Sequence, residues 1–224
     1  MLEQIYEGFG SEARRPVPAK TPIVPESVSG VQVEVIKGDY QQPRLEIAYR
    51  GPSGSTLDSV ALDLAAFALS TGEVSRFNQR LRDRDGALIA AGASCYSPGF
   101  AGIFEINGLM SEDQMLTGLQ GLVRELMLMR GNEGLSDSEM DRAVQCLRAD
   151  RVYRDETVDG QARTLGLGLS TDHNIVHDEV YATMIQHMPR TYVQDALRRW
   201  INPQNVILVA LLPESSPLGA EDFR

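Results

Sequence analysis

The chain has 224 residues, 42% of them hydrophobic, which is enough for one good core in one large domain or two small ones. Its formal net charge is −10, from 31 acidic and 21 basic residues, and this argues against a nucleic-acid partner because phosphate contacts need clustered Lys and Arg. No run of apolar residues is long enough to span a membrane. Two cysteines, Cys95 and Cys146, are too few for a disulfide framework or a cysteine metal cluster.

The first thirty residues are predicted to be a tail and a linker. The opening segment carries apolar side chains at helical spacing: Leu2, Ile5, Tyr6 and Phe9. Four prolines then fall within residues 10–30, a density that prevents a helix or a central strand and favours an extended linker. The start of the chain lacks the basic region and apolar core of a signal peptide, and the sequence does not choose between a bacterial cytoplasm and a periplasm.

Residues 31–107 are predicted to form strands on both sides of a helical stretch. Alternating apolar and polar residues predict a strand at 31–36, and further strands are expected at 45–49, 87–96 and 101–107. Asp58 is expected to open an apolar helix, and residues 75–82 are expected to form an amphipathic one. The turn at residues 97–99, Ser-Pro-Gly, makes an antiparallel hairpin the natural connection between the last two strands.

The second half of the sequence is predicted to be mostly helical. Helices are expected over residues 111–130, from residue 136 to 154 or beyond, over 175–188 and over 190–201. Ser111 is expected to cap the first of these helices, and Ser136 with Glu139 forms a capping box for the second. Pro189 is expected to separate the last two.

Gly166 and Gly168 are expected to end or bend the long helix that begins at residue 136. No buried strand precedes them in the sequence, which argues against a dinucleotide-binding loop. The uninterrupted apolar run at residues 206–212 predicts a fully buried strand that stops at Pro213.

The predicted order of elements is β-β-α-α-β-β-α-α-α-α-β. Strands that pair in hairpins, together with helices grouped in blocks, indicate an α+β fold of two layers, in which helices cover one face of a mostly antiparallel sheet. We therefore expect a single domain over residues 31–213, preceded by the linker and followed by a C-terminal tail at 214–224.

The segment ALSTGEVSRFNQRLRDRDGALIAAG, at residues 68–92, resembles a motif of the second domain of the pitrilysin/insulinase family of zinc metallopeptidases. The matching letters are Gly72, Ser75, Arg76, Leu81, Arg82, Gly86 and Leu88. Residues 134–143 are similar to the entry of that family's long helix, and residues 191–206 to its last helix, Pro-x-Asn turn and final strand. This resemblance covers the chain after the linker. It implies a processing-peptidase-like metallohydrolase fold, similar to the domains of mitochondrial processing peptidase subunits.

The resemblance implies that this chain is one of two cooperating domains. In active members of the family, a first domain holds zinc on an H-x-x-E-H motif, and the second domain closes a chamber around the peptide substrate. This sequence contains no H-x-x-E-H motif. The resemblance therefore implies no zinc or other cofactor in this chain and no hydrolysis by the chain alone. The implied partners are a preceding zinc-bearing domain, or a homologous subunit, and a peptide.

The resemblance also implies which residues contact substrate. In the family, an Arg and a Tyr of the second domain hold the substrate backbone, and these positions fall on Arg82 and Ile89. A tyrosine hydroxyl could hydrogen-bond a peptide carbonyl, whereas an isoleucine offers only packing. One of the two residues that would hold the substrate backbone is therefore missing, which favours a structural or degenerate second domain. The substrate-binding candidates are Gly72, Ser75, Arg76, Arg82 and Ile89.

Two features of the motif have alternative interpretations. Its four arginines, Arg76, Arg80, Arg82 and Arg84, either face a substrate or form local ion pairs on a solvated helix, and the ion pairs are the favoured interpretation. The glycine and serine at the start of the motif lack the Lys-Ser/Thr pair of a P-loop, so a helix-capping turn is the better account of them.

His173 and His177 are spaced so that both would lie on one face of a helix, as in many zinc peptidases. The three residues between them are Asn, Ile and Val, so the glutamate that would activate water is missing from its usual place. Chance placement is the favoured interpretation, with a weak metal site and a catalytic site as the alternatives.

Three functions are compatible with these observations. The first is a non-catalytic second domain of a zinc metallopeptidase. The second is a family-shaped but inactive module that binds a protein or a peptide. The third is an independent enzyme that uses the histidine pair, and it has the least support.

Overall fold

A computed structural model of the chain describes residues 29–54, 56–98, 101–131, 133–171 and 177–224. The strands are β1 (Gly30–Gly38), β2 (Arg44–Gly51), β3 (Ala90–Tyr96), β4 (Gly102–Leu109) and β5 (Asn205–Pro213). The α-helices are α1 (Leu57–Ser70), α2 (Met115–Arg130), α3 (Asp137–Asp155), α4 (Val158–Thr171), α5 (His177–His187) and α6 (Arg190–Trp200). The predicted N-terminal tail and nearly all of the predicted linker lie outside the described residues.

The five strands form one mixed sheet in the order β1-β5-β2-β4-β3. The pairs β5–β2, β2–β4 and β4–β3 are antiparallel, and only the pairing of β1 with β5 is parallel. The last strand of the chain therefore inserts between the first two. The α+β fold and the mostly antiparallel sheet expected from the sequence are confirmed.

The helices cover one face of this sheet. Leu45 and Ile47 of β2 and Phe104 of β4 are buried beneath the helical layer, whereas the positions between them, such as Ala48 and Ile103, are at least partly exposed. The same alternation runs through β5, so the fully buried strand predicted at residues 206–212 is wrong. That apolar run is buried on the helical side alone. We call the other side the open face.

Local sequence signals set several helix ends. Ser136 and Glu139 form the predicted capping box at the start of α3. At the start of α1, the N-cap is Thr56 with Ser59 as its capping-box partner, and Asp58 lies inside the first turn. Pro189 separates α5 from α6, as predicted. Each of these signals acts on backbone groups within a few residues of it, and for that reason the sequence alone predicts it.

Asp58 instead ties the start of α1 to α6. Its carboxylate accepts hydrogen bonds from the Tyr192 hydroxyl at 2.9 Å, Arg199 Nη2 at 2.6 Å and Trp200 Nε1 at 2.7 Å. Desolvation alone would raise the pKa of Asp58, but these three donors and the charge of Arg199 lower it below its usual value. The carboxylate therefore stays ionised and holds two sequence-distant helices together.

The long helix predicted from residue 136 is two helices. The chain turns at residues 156–157, between α3 and α4, and Gly160 lies against this turn. A Cβ atom on Gly160 would lie 1.7 Å from the carbonyl oxygen of Arg154, so a side chain is excluded there. Gly166 and Gly168 lie within α4, and the expectation that they end or bend the helix is wrong.

The last residues of the chain pack against the sheet. Lys37 Nζ donates a hydrogen bond to the carbonyl oxygen of Ser216 at 2.7 Å, and the Phe223 side chain is buried. Residues 214–224, expected to be a tail, thus contribute to the core. No helix in the described part of the chain is long and apolar enough to cross a membrane.

Candidate functional site

The motif at residues 68–92 contains an eight-residue π-helix, Phe77–Arg84. Its wider turn is visible at its end, where the Asp85 N–H donates to the Arg80 carbonyl oxygen at 3.1 Å, five residues back. Phe77 and Leu81 are the buried residues of this helix, while its arginines reach the surface. π-Helical turns are rare and are frequently found at functional sites. The sequence predicted a helix here but not its wider turn.

Gly72 and Ser75 build the turn that leads into the π-helix. Gly72 has a φ of +81°, a left-handed conformation that glycine adopts without strain, and its carbonyl accepts from the Ser75 N–H at 3.1 Å. The Ser75 side chain is buried, and its hydroxyl accepts from the Asn78 N–H at 3.4 Å. Both residues therefore shape the chain, in line with the capping turn expected from the sequence.

Arg76 lies in the interior, with 4% of its surface exposed. Its Nε donates to Glu139 Oε1 at 2.6 Å, and its Nη2 donates to Glu139 Oε2 at 2.9 Å and to the Gly134 carbonyl oxygen at 2.5 Å. Desolvation alone would raise the pKa of Glu139, but Arg76 and the Ser136 backbone N–H lower it to about 2. Arg76 therefore joins the π-helix to the capping box of α3 and has no free surface for a substrate.

Arg82 is on the outer side of the π-helix, with 30% of its side chain exposed. Its Nη2 donates to Glu73 Oε2 at 2.5 Å, and its Nε donates to Asp83 Oδ1 at 2.7 Å. The hydrogen bonds to Asp83 and Glu73 raise the pKa of Arg82, so its charge is permanent. Both carboxylates are largely exposed. The guanidinium is therefore held beside the Gly72 turn by partners that a ligand oxygen could replace.

The other two arginines of the motif have acidic partners as well. Arg80 Nη1 lies 2.7 Å from the buried Glu125 carboxylate on α2, and Arg84 Nε lies 2.7 Å from Asp85. The interpretation of local ion pairs thus describes Arg84, whereas Arg80 pairs with a residue of another helix. Sequence reasoning missed the partners that come from other elements, Glu125 and Glu139, because nothing local marks them.

Ile89 lies immediately before β3 and exposes 51% of its surface. Its N–H donates to the Leu109 carbonyl oxygen at 2.8 Å, so its backbone continues the β3–β4 pairing. The side chain presents only carbon to solvent. At this position the chain has an exposed apolar side chain.

The open face combines apolar and acidic side chains. The strand register places Glu46 beside Val209 and Asn107, and Glu105 one row away. Desolvation, and next the charge of Glu105, raise the pKa of Glu46 against the opposing charge of Arg44. This face therefore carries a carboxyl group, Glu46, that its surroundings make harder to ionise.

A cleft of about 760 Å³ lies on the helical side, between α1, α3, α4, α5 and the end of β3. The Tyr181 hydroxyl donates to the Asp63 carboxylate in it, and the Arg151 guanidinium stacks 4.7 Å from the centre of the Tyr181 ring. Desolvation raises the pKa of Asp63 to about 7 and that of the Cys95 thiol to about 12. The thiol is therefore protonated and a poor nucleophile. In the sequence, the one sign of this cluster is Asp63, a single carboxylate within an apolar helix.

The predicted histidine pair lies outside the described residues, since His173 and the side chain of His177 are not among them. Across the described ranges, no group of three or more His, Cys, Asp or Glu side chains could hold a metal ion. The described residues of this chain therefore do not fit a catalytic zinc site.

Known proteins share this fold. A protease from Helicobacter pylori is similar with a TM-score of 0.79 and 16% identity, over 94% of this chain and 51% of that chain. The M16 inactive domain from Pseudomonas fluorescens is similar with a TM-score of 0.70 and 16% identity, over 87% and 46% of the two chains. This chain thus spans about half the length of these two structures.

A third solved structure is similar over nearly its whole length. It is the inactive peptidase domain of a protein assigned as a zinc protease from Bordetella parapertussis, with a TM-score of 0.70 and 16% identity. The similarity covers 82% of this chain and 99% of that one. No curated protein is significantly similar to the chain in sequence.

The family match agrees with the fold and with the motif around Arg82. The family model of the peptidase M16 inactive domain matches residues 1–147 of the 224-residue chain, well over half of it. This chain belongs to the M16 peptidase family, of the pitrilysin/insulinase type that its motifs resemble, as an inactive domain.

Proposed function

We propose that this chain is the non-catalytic half of a zinc metallopeptidase and closes a substrate chamber together with a zinc-bearing half. The zinc-bearing half is either a preceding domain or a homologous subunit. The observation that carries the proposal is the match to an inactive M16 domain in a chain whose sheet, among the described residues, has helices on one face alone. The open face is the wall of the chamber, and the helical layer is its outside.

Arg82 contacts the peptide backbone in this proposal. Its guanidinium is charged, partly exposed and held by two exposed carboxylates, Glu73 and Asp83. A carbonyl oxygen of an extended peptide replaces one of these partners, and hydrogen bonds from a charged donor are among the stronger ones. Ile89 adds apolar contact immediately before β3.

Hydrolysis belongs to the other half. The H-x-x-E-H motif, which supplies the zinc ligands in the family, is not in this sequence. When zinc is bound in the partner half, it supplies the Lewis acid and the activated water. The residues of this chain bind and orient the peptide and exclude water from the chamber.

The role of Arg82 is tested with two variants, Arg82→Gln and Arg84→Gln. Both remove one positive charge from the same π-helix, but Arg84 is 61% exposed and bonds only its neighbour Asp85 in the described structure. We expect Arg82→Gln to lower kcat/KM of the reconstituted pair about 10- to 100-fold, the effect of losing one charged hydrogen bond. We expect Arg84→Gln to change it less than about twofold. Equal effects of the two variants would remove Arg82 from the peptide-binding site.

The second candidate function is an inactive module that binds a protein or a peptide. The observation that favours it is Ile89, which stands where the family has a substrate-holding tyrosine. Its exposed side chain offers packing alone. Fluorescence anisotropy of labelled unstructured peptides distinguishes the two functions. A scaffold binds peptide equally well with or without the zinc-bearing half, whereas a chamber wall binds it weakly until the chamber closes.

A further inference from the structure

The cleft on the helical side has no role in the proposed chamber. Its volume is about 760 Å³, and it lies between α1, α3, α4, α5 and the end of β3. The open face, which is the chamber wall in our proposal, is on the other side of the sheet. A cleft of this size is within the range of small-molecule sites, which combine apolar walls with a few polar groups. The residues that line the cleft therefore determine which class of ligand it accepts.

Asp63 of α1 is an acid inside the cleft, and the Tyr181 hydroxyl donates a hydrogen bond to it. Desolvation raises the pKa of Asp63 to about 7, against the opposing effects of the Tyr181 hydrogen bond and the charge of Arg154. Below pH 7 this carboxyl group is therefore mostly protonated. A protonated carboxyl group does not repel an anion, and its hydroxyl donates a hydrogen bond.

Arginines from two helices line the same cleft: Arg151 and Arg154 of α3, and Arg163 of α4. The Arg151 guanidinium stacks on the ring of Tyr181. Arg154 Nη2 lies 2.5 Å from Asp150 Oδ2, and both of these side chains are about half exposed. An exposed ion pair between residues one helical turn apart contributes little to stability. A ligand anion can therefore replace Asp150 as the partner of Arg154.

The cleft is positively charged within an acidic protein. Arg163 has no hydrogen-bond or ion-pair partner among the described residues. With Asp63 protonated, the three arginines of the lining face two ionised carboxylates, Asp150 and Asp159, and both of these are exposed. The whole chain, in contrast, has a net charge of −10. A concave surface with a local excess of positive charge attracts anions.

The cleft also has apolar surface for the uncharged part of a ligand. Phe67 of α1, Leu147 of α3 and Leu167 of α4 line it, together with Tyr96 at the end of β3. Apolar walls of this kind supply most of the contact area in small-molecule sites, and the few polar groups fix the orientation of the ligand. A ligand that fits this cleft therefore has an apolar body next to its charged group.

We propose that this cleft binds a small organic anion, a carboxylate or a phosphate ester with an apolar body, whose charged group contacts Arg154 and Arg163. The guanidinium group suits both anions, because its N–H groups match the spacing of carboxylate and phosphate oxygens. The apolar body lies against Phe67 and Leu147. This site goes beyond the proposed peptidase function, since it lies on the helical side and needs neither zinc nor the zinc-bearing half.

Saturation-transfer difference NMR on the full 224-residue chain, without the zinc-bearing half, tests the proposal. The probes are naphthoate, naphthyl phosphate and the uncharged naphthylmethanol, which share one aromatic body and differ in the group attached to it. The variants are Arg154→Gln and Arg163→Gln. The matched control is Arg148→Gln, at an exposed position of the same helix α3 that does not line the cleft. Circular dichroism checks that each variant is folded.

We expect the wild type and Arg148→Gln to bind at least one of the two anions with a Kd of about 1 mM or below, the range for so small a probe. Naphthylmethanol should bind about tenfold more weakly, and either cleft variant should raise the Kd of that anion about tenfold, because a charged hydrogen bond is lost. The anion with the lower Kd identifies the ligand as a carboxylate or a phosphate ester. The proposal would be overturned if neither anion binds, if naphthylmethanol binds as tightly, or if either cleft variant leaves the Kd unchanged.

Discussion

Burial separates the roles of two arginines that lie six positions apart in one motif. Arg76 is enclosed and forms a two-point contact with Glu139, while Arg82 is partly exposed and bonds two exposed carboxylates. The sequence presents both as basic residues of an amphipathic helix. Their difference arises because α3 packs over the start of the π-helix, a contact between residues 63 positions apart.

Replacement of Arg76 by methionine, a side chain of similar length, is expected to destabilise the fold. It leaves the carboxylate of Glu139 largely desolvated and without its cation, at a cost of about 2–4 kcal/mol in the free energy of unfolding. Urea unfolding at pH 7 measures this, with Arg84→Met as the control at less than about 0.5 kcal/mol. A loss below about 1 kcal/mol would contradict the structural role of Arg76.

The same ion pair predicts a pH dependence. The pKa of Glu139 in the folded state is about 2, below its unfolded value of 4.5, so its contribution is present above the unfolded pKa and is lost as the pH falls through the folded one. The stability difference between wild type and Glu139→Gln should therefore shrink between pH 4.5 and pH 2. Thermal unfolding across this range measures the difference, and a constant value would be inconsistent with the ion pair.

Asp63 has the opposite linkage. Desolvation raises its folded pKa from 3.8 to about 7, so its contribution is fully present below the unfolded pKa and is lost as the pH rises through the folded value. We expect Asp63→Asn, which can still accept from the Tyr181 hydroxyl, to raise Tm relative to wild type at pH 8 and to have a smaller effect at pH 4. Asp141→Asn, at an exposed position of α3, is the control. An equal shift at both pH values would show that Asp63 is not titrating.

At the scale of elements, the sequence predicts what local backbone chemistry determines. The capping box at Ser136 and the break at Pro189 depend on groups a few residues apart, and both are confirmed. The turn at residues 156–157 was not predicted, because no proline or glycine lies at that point. The π-helix was not predicted either, because eight residues are too few for its wider turn to show as a separate hydrophobic period.

The α3–α4 turn gives a paired prediction for two glycines of α4. A Cβ atom on Gly160 meets the Arg154 carbonyl oxygen, whereas one on Gly166 has nothing within 4 Å. Gly160→Ala should therefore destabilise the protein by about 1–3 kcal/mol, through displacement of the turn. Gly166→Ala should stabilise it by up to about 1 kcal/mol, the helix-propensity gain at an open position. Urea unfolding of both variants checks this, and a stabilising Gly160→Ala would contradict the tight turn.

At the scale of the whole molecule, the two sides of the sheet differ in how the described residues cover them. The apolar run of β5 is continuous in sequence, and only the structure shows that one of its sides is left open. Sequence patterns cannot distinguish a strand buried on both sides from one whose second side is apolar but uncovered. In our account a zinc-bearing half covers the open face.

The most direct test of the account is peptide hydrolysis by the reconstituted pair. The 224-residue chain, the zinc-bearing M16 subunit or domain of the same cells, and their mixture are each assayed on unstructured peptides. We predict turnover by the mixture, little by the zinc-bearing half alone and none by this chain alone. A folded, associated pair that hydrolyses no peptide, or a zinc-bearing half that is equally active by itself, would contradict the claim that this chain closes the chamber.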